Sequence, residues 1–410
     1  MNKNKTKLKF AETFVGCGGS HIGFKKAGFE DIFVNDNNDI FLKTFKINNS
    51  DSQCKIFNEP IQDLSKKDIL KITKLKKGEL DLFFGGVVCK GFSLAGVRNP
   101  NDPRNTLYLD QLKIVKQLKP KFSVIENVPG MANLMITSSK TPKKIKEQAD
   151  EVWQFIDKYK GIKSDLTKNN RFFSKKELLL IEDMKNKKRD LEEFIKSTAI
   201  SVIEDIEERY DKMGYYLFTD KLEAHYFGAA TTRERLILVA IRKDLGIDEF
   251  KFPEPTHGKG LLPIKSVNDA LSSLDLENKN NPNTDADNRP MNHKEKSIRR
   301  FKLIPEGKNI VDVLESVPED LKVSGFYSRG CTMRLDGSKP SPTLVPGHSN
   351  FPVHPKEHRS ITVREAATIT GFPNNYKFVG NHTQRCEQVG QAVAPPLSLA
   401  IGKRISEYLL

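Results

Sequence analysis

The sequence predicts an α/β protein built on a doubly wound, largely parallel sheet. Three observations carry this expectation. Short apolar runs alternate with helical patterns through the first part of the chain, glycines cluster directly after the first run, and an acidic residue closes the second. At 410 residues the chain exceeds one ordinary domain.

KLKFAETFV reads as the first strand, followed by Gly-rich GCGGSHIG and a helical segment ending at Ala27-Gly28. DIFVNDN (31–37) is a second strand. LDLFFGGVV (80–88) and KFSVIENV (121–128) are short apolar strands joined through helix-like TLYLDQLKIVKQL. YYLFTDKL and RLILVAIR are two more, around irregular HYFGAATTRE. Residues 135–213 are rich in lysine and glutamate and read as a helical insertion. Thr141-Pro142 marks a helix start, with Ile145, Ala149, Val152, Ile156 and Tyr159 on one face, and Ser174-x-x-Glu177 is a capping box. FPEPTHGKG (252–260) breaks the pattern and marks a domain boundary. Residues 261–357 have little periodicity, which suits recognition more than chemistry. The pattern tightens again at SITVREAATITGFP, and EQVGQAVAPPLSLAIGKRI reads as a turn and a closing helix. The expected division is 1–250, a smaller loop-rich domain over 251–380, and a segment 381–410 that completes the first.

Lysine and arginine total 67 against 53 acidic residues, a formal +14, which suits a polyanionic partner such as nucleic acid. The five cysteines are scattered and form no C-x-x-C, which argues against a disulfide framework or a cysteine zinc site and fits a reducing cytoplasm. His354 and His358 stand four apart, but Pro355 argues against a helix presenting both to a metal. No apolar run reaches about eighteen residues, so no membrane span is expected. The start, MNKNKTKLKF, lacks the apolar core of a secretion signal.

The first strand opens onto Phe14-Val-Gly16-Cys-Gly18-Gly19-Ser-His-Ile-Gly23. Glycines here let backbone approach a ligand. A dinucleotide fingerprint needs a third glycine where His21 stands, so a pyrophosphate turn is disfavoured. Asn35-Asp36 ends the second strand, and a carboxylate there suits ribose hydroxyls. Together these point to an adenosine-type cofactor without pyrophosphate, S-adenosylmethionine.

FVGCGGSHIGF, GGVVCKGFSLAG, VIENVPGM and TTRERLILVAIR, followed by REAATITGFP and QVGQAVAPPL, stand in the order found in DNA cytosine-5 methyltransferases. The chain resembles that family, in its bacterial restriction-modification form, over most of 8–135, 208–245 and 355–405. The resemblance implies a Rossmann-like S-adenosylmethionine-dependent sheet, with 251–380 as target-recognition domain. Carbon 5 of cytosine is a poor nucleophile, and a thiolate added at carbon 6 makes it an enamine that attacks the sulfonium methyl. That chemistry needs a cysteine, since a thiol ionises far more readily than a hydroxyl. By resemblance Cys89 is this nucleophile. Glu126 meets ring nitrogen 3 and the exocyclic amine, Arg235 holds the carbonyl at carbon 2, and Arg233 supports the site and the flipped nucleotide's phosphate. For the cofactor, the resemblance adds Phe14 against the adenine, Leu107 near the adenosine, and Gln391 where the family usually has asparagine, beside Gly16, Gly18, Gly19 and Asp36. Ser93, Arg329 and Arg334 are the expected DNA contacts, the two arginines as readers of guanine edges.

The sequence departs from the family pattern at several points. Val88-Cys89-Lys90 stands for Pro-Cys-Gln, Pro60 for an acidic residue, Thr231 for glutamine and Ala394 for proline. Glu59 or Asp63 is left as an alternative grip on the adenine amine. The expected protein is a cytoplasmic monomer that methylates double-stranded DNA, releases S-adenosylhomocysteine, uses no metal, and works beside a cognate restriction endonuclease. Rival readings are cytosine-5 methylation of tRNA and a catalytically silenced DNA-binding relative.

Overall fold

The computed structural model describes residues 7–87, 107–137, 142–148, 174–278, 285–323, 330–345 and 351–410, with scattered positions between 150 and 158. Its centre is a seven-stranded sheet. In chain order the strands are β1 (Lys9–Thr13), β2 (Glu30–Asp36), β3 (Lys55–Asn58), β4 (Leu82–Gly86), β5 (Phe122–Asn127), β8 (Tyr215–Glu223) and β9 (Glu234–Arg242). Met135–Thr137 (β6) and Ala199–Ser201 (β7) form a separate two-stranded ribbon. The spatial order is β3-β2-β1-β4-β5-β9-β8.

The first five strands are parallel, and β9 runs antiparallel to both β5 and β8. The expected α/β sheet is therefore present, with a reversal at one side. The reason is connection length: only residues 224–233 separate β8 from β9, too few for a parallel crossover. The short strand KIFN (β3) escaped the sequence reading, because four half-exposed residues carry little alternation.

The central strands read as continuous apolar runs because both faces are covered. In β9, Leu236, Leu238 and Ala240 face one core while Ile237, Val239 and Ile241 face the other. The first core is closed by helix α5 (Leu107–Leu118, the fifth after α1, Gly19–Lys26; α2, Asp39–Asn48; α3, Ile61–Leu64; and α4, Ile69–Thr73) and by the helix Val202–Lys212. The second is closed by α1 and the C-terminal helix Pro395–Leu409. These two helices cross closely. A Cβ at Gly23 would lie 2.0 Å from Ser398 Oγ and 2.4 Å from Leu399 N, so only a glycine permits the approach.

The helical insertion is present, with the Ser174–Glu177 cap formed at both of its hydrogen bonds. It is rooted in the β6–β7 ribbon, and the long helix Lys175–Thr198 lies between those strands in the chain. Its end falls earlier than the expected residue 213. Val202, Ile206 and Tyr210 recur four apart, and this stripe buries the Val202–Lys212 helix on the main sheet.

The loop-rich region has its own small core of Phe301, Ile304, Ile310, Val317, Leu321 and Val353. Ile361, Val363, Ala366, Tyr376, Cys386 and Val389 share one cluster with Cys17 at the glycine turn, and Val267, Leu335 and Phe351 belong to it as well. Among the described residues, no helix is long and apolar enough to cross a membrane.

Replacing Gly23 by valine should cost about 1–3 kcal/mol, the usual range for forced overpacking. Urea unfolding of both proteins measures it, and an unchanged midpoint would contradict the close crossing.

Candidate active site

The sheet gathers the candidate residues at one end. Phe14 follows β1, Gly86 ends β4, Glu126 lies near the end of β5, and Arg235 near the start of β9. Gly86 stands beside Glu126 in the parallel ladder. A Cβ at Gly86 would meet Glu126 Oε2 at 3.4 Å and Phe14 O at 3.9 Å, so these three strand ends adjoin.

Glu126 and Arg235 are 7 % and 8 % exposed, and Arg235 Nε lies 2.7 Å from Glu126 Oε1. The pairing is a consequence of the β5–β9 register, which sets Glu126 opposite Ile237 and Asn127 opposite Leu236. Arg235 also donates through Nη1 to the Glu234 carbonyl at 2.6 Å, which fixes the plane of its guanidinium. One carboxylate oxygen is thus held in place while the other faces the Gly86 backbone.

Cys89 lies outside the described residues, as do Val88, Lys90, Ser93 and Arg329. The chain leading to Cys89 is placed. Val87 is buried, and its carbonyl accepts from Asn127 Nδ2 at 3.1 Å. The last described residue before the cysteine is therefore anchored to the strand that carries Glu126. Three other cysteines are poor nucleophiles. Burial pushes the Cys17 and Cys386 thiols up to about 12 and that of Cys54 up to about 11.

Arg233 is 4 % exposed and points inward, donating to the Gly390 carbonyl at 2.8 Å and the Gln391 carbonyl at 3.2 Å. It ties β9 to the C-terminal segment.

At the glycine turn, Phe14 adopts the left-handed conformation, φ 56°, uncommon for a large side chain and a mark of an over-determined turn. Gly16 also has positive φ, and a Cβ there would meet only Phe41, at 3.9 Å. Gly18 and Gly19 differ. A Cβ on Gly18 would lie 2.8 Å from Tyr376 Oη, and one on Gly19 2.5 Å from Val393 O. These two glycines admit neighbouring protein, and Gly16 alone of the three leaves open space. Asp36 Oδ2 accepts from Gly16 N at 2.8 Å, and Oδ1 accepts from Asn38 N at 2.8 Å. Burial pushes this carboxyl above its ordinary range, with the Asn38 and Gly16 N–H groups opposing. Leu107 opens α5, half-buried against the core, and Gln391 closes the helix His382–Gln391 with its side chain exposed. Glu59 is paired with Lys67 at 2.5 Å and Asp63 with Lys66 at 3.1 Å, so both alternative adenine grips already have partners.

Arg334 departs from its expected role as a guanine reader. It is 4 % exposed and donates to the carbonyls of Ile304, Phe301, His354, Pro355 and Glu357. It is a clamp inside the loop-rich lobe, where carbonyls without a regular ladder need a dense donor. The sequence reading also missed Asn127, Tyr376 and Gln111. Tyr376 Oη donates to the Cys17 carbonyl and Thr13 Oγ1 to the Gln111 side chain, bracing the turn. No local pattern marks Gln111, which follows Asp110 and shares its helix with Lys113, Lys116 and Gln117.

A family described as C-5 cytosine-specific DNA methylase matches the chain over residues 8–154 and 190–407. Among curated relatives, the type II methyltransferase M.NgoFVII of Neisseria gonorrhoeae is 27% identical, over 99% of this chain and 88% of its own. M.FnuDI of Fusobacterium nucleatum is 28% identical over 98% and 95%. Among solved structures, a putative DNA modification methyltransferase encoded within an E. coli prophage superposes with a TM-score of 0.63 at 21% identity, over 98% of this chain and 99% of that one. A DNMT2 mutant of Spodoptera frugiperda superposes at 0.55 with 15% identity, over 97% and 99%.

Replacing Arg334 by methionine should cost about 2–4 kcal/mol, since it leaves several buried carbonyls without a donor. Denaturant unfolding measures the loss. A changed DNA sequence preference at unchanged stability would restore Arg334 as a reader.

Proposed function

The chain belongs to the C-5 cytosine-specific DNA methylases, and from that membership we propose that it methylates carbon 5 of one cytosine within a short duplex sequence, as the modification half of a restriction-modification system. The buried Glu126–Arg235 pair, 2.7 Å apart beside the strand that leads to Cys89, carries this reading. The type II names of its relatives support the restriction-modification setting.

The glycine turn fits S-adenosylmethionine. Gly16 leaves open space two residues after Phe14, past the end of β1, and beside the Asp36 carboxylate at the end of β2. Phe14 would lie against the adenine, Asp36 would face the ribose, and Leu107 would pack near the adenosine. Gln391 would approach from the C-terminal segment, and Gly18 and Gly19 would keep the turn tight. When bound, this cofactor supplies a methyl group on a sulfonium as electrophile.

The chain's own residues do the rest. The target cytosine leaves the duplex, at a cost of a few kcal/mol. Cys89 adds to carbon 6 as thiolate. Glu126 binds ring nitrogen 3 and the exocyclic amine and supplies a proton as charge builds on the ring. Arg235 holds Glu126 and the carbonyl at carbon 2. Carbon 5 then takes the methyl group, loses its proton, and the Cys89 bond breaks. Arg233 keeps the C-terminal segment against the site.

Bisulfite sequencing of DNA from a methylation-free bacterial host tests the reading. Expression should protect cytosines in one sequence context, and Cys89→Ala should reduce this to background while S-adenosylhomocysteine binding persists. Methylation by Cys89→Ala would overturn the assignment of the nucleophile. Absence of DNA methylation by the parent protein, with methylated tRNA, would replace the substrate.

Affinity for duplex DNA should also fall steeply with salt, about tenfold or more for a few-fold rise in concentration. Fluorescence anisotropy measures this, and a flat response would argue against phosphate-dominated binding.

A further inference from the structure

The mechanism leaves a buried titratable cluster beside the glycine turn unused. His21, in the first turn of α1, is fully buried. Its Nδ1 lies 3.5 Å from Glu12 Oε2 on β1, and its Nε2 lies 3.3 Å from Asp31 Oδ2 on β2. Phe10 and Phe45 enclose the ring, with centroids at 5.0 and 4.7 Å. The Cys54 thiol stands beside Asp31, and the Cys17 thiol and Tyr376 hydroxyl act on Glu12. The Ser20 hydroxyl donates to Glu12, the Ser52 hydroxyl donates to Asp31, and Lys25 Nζ reaches Asp31 Oδ1 at 2.5 Å. The Asp36 carboxylate acts on Glu12 from further off.

Lys25 balances Asp31, so the Glu12–His21 pair is neutral when it holds one titratable proton between them, and loss of that proton would leave an uncompensated negative charge in a dry interior, a costly arrangement.

The cluster also brackets the glycine turn. Glu12 precedes Phe14 by two residues, while Ser20 and His21, both facing Glu12, follow Gly18. Asp31 lies on the strand whose end, Asp36, holds Gly16 N. We propose that His21, as an imidazolium tying β1 to β2, is a positioning residue for the turn that holds S-adenosylmethionine. This rests on reading that turn as the cofactor site.

The protonation balance agrees. Burial pushes the imidazole down, but the Asp31 and Glu12 carboxylates beside it override this and hold the ring above its ordinary value of 6.5. Burial likewise pushes Glu12 up, with His21 and Ser20 opposing. Both groups retain protons more firmly in the folded state, so their joint proton is lost as pH rises through the raised value, and the turn loosens on the alkaline side.

The test measures S-adenosylhomocysteine affinity by calorimetry on the full chain, from about pH 6, near the ordinary imidazole value, up to about pH 10. The proteins are wild type, His21→Gln, His21→Arg and Asp31→Asn, with circular dichroism as a check on folding. Wild-type affinity should fall at alkaline pH. His21→Gln should bind roughly tenfold more weakly throughout, the scale of losing an outer positioning partner. His21→Arg, a cation that does not titrate in this range, should restore binding and flatten the profile. Asp31→Asn should move the alkaline fall to lower pH, and this arm and the wild-type profile stand even if His21→Gln does not fold. A flat wild-type profile, a folded His21→Gln with wild-type affinity, or a folded His21→Arg that binds as weakly as His21→Gln would each overturn the proposal. Failure of all four folded proteins to bind at any pH would instead overturn the cofactor reading.

Discussion

The antiparallel pairing of β9 with β5 is the constraint on which the site depends. In a purely parallel sheet, the next strand would present its C-terminal end beside Glu126. Reversal presents the beginning of β9 instead, and with it Arg233 and Arg235. One arginine meets the Glu126 carboxylate; the other turns inward to the chain's C-terminal segment. The two arginines are two apart, but Arg233 lies before the first residue of β9, where the strand's alternation no longer fixes the side-chain direction.

Much of this was legible in the residues. Six of the seven main strands follow from short apolar runs, and Glu126 and Arg235 were expected together before their register was known. What escaped were contacts that no local pattern encodes. The burial of Arg334 depends on carbonyls contributed from residues 301 to 357, so its exposed-looking surroundings in SRGCTMRLDGS gave the wrong impression. Gly18 and Gly19 look like ligand-facing glycines, yet the atoms that demand them belong to Tyr376 and Val393, far along the chain. The end of the insertion was misjudged because a charged helix with a narrow apolar stripe resembles a solvated one until its partner is seen.

The two lobes differ in how they hold their backbone. The sheet satisfies its polar groups through long ladders and buries large side chains on both faces. The loop-rich lobe has few ladders and uses side chains instead: Arg334 on five carbonyls, Arg359 across Glu357 and Glu365, Arg364 on Asp285 and Asp287. A region held this way can vary in its exposed loops while its internal clamps stay fixed.

The bracing of the glycine turn joins the two ends of the chain. Cys17 is held by Tyr376 and Gln388, Gly19 lies against Val393, and α1 crosses the final helix at Gly23. During synthesis the turn emerges from the ribosome long before its braces, since Tyr376 follows Cys17 by 359 residues. At roughly 5–20 residues per second, a nascent chain carries the glycine turn for many seconds without them. A chain cut before Tyr376 would keep Glu126 and Arg235 but not the packed turn.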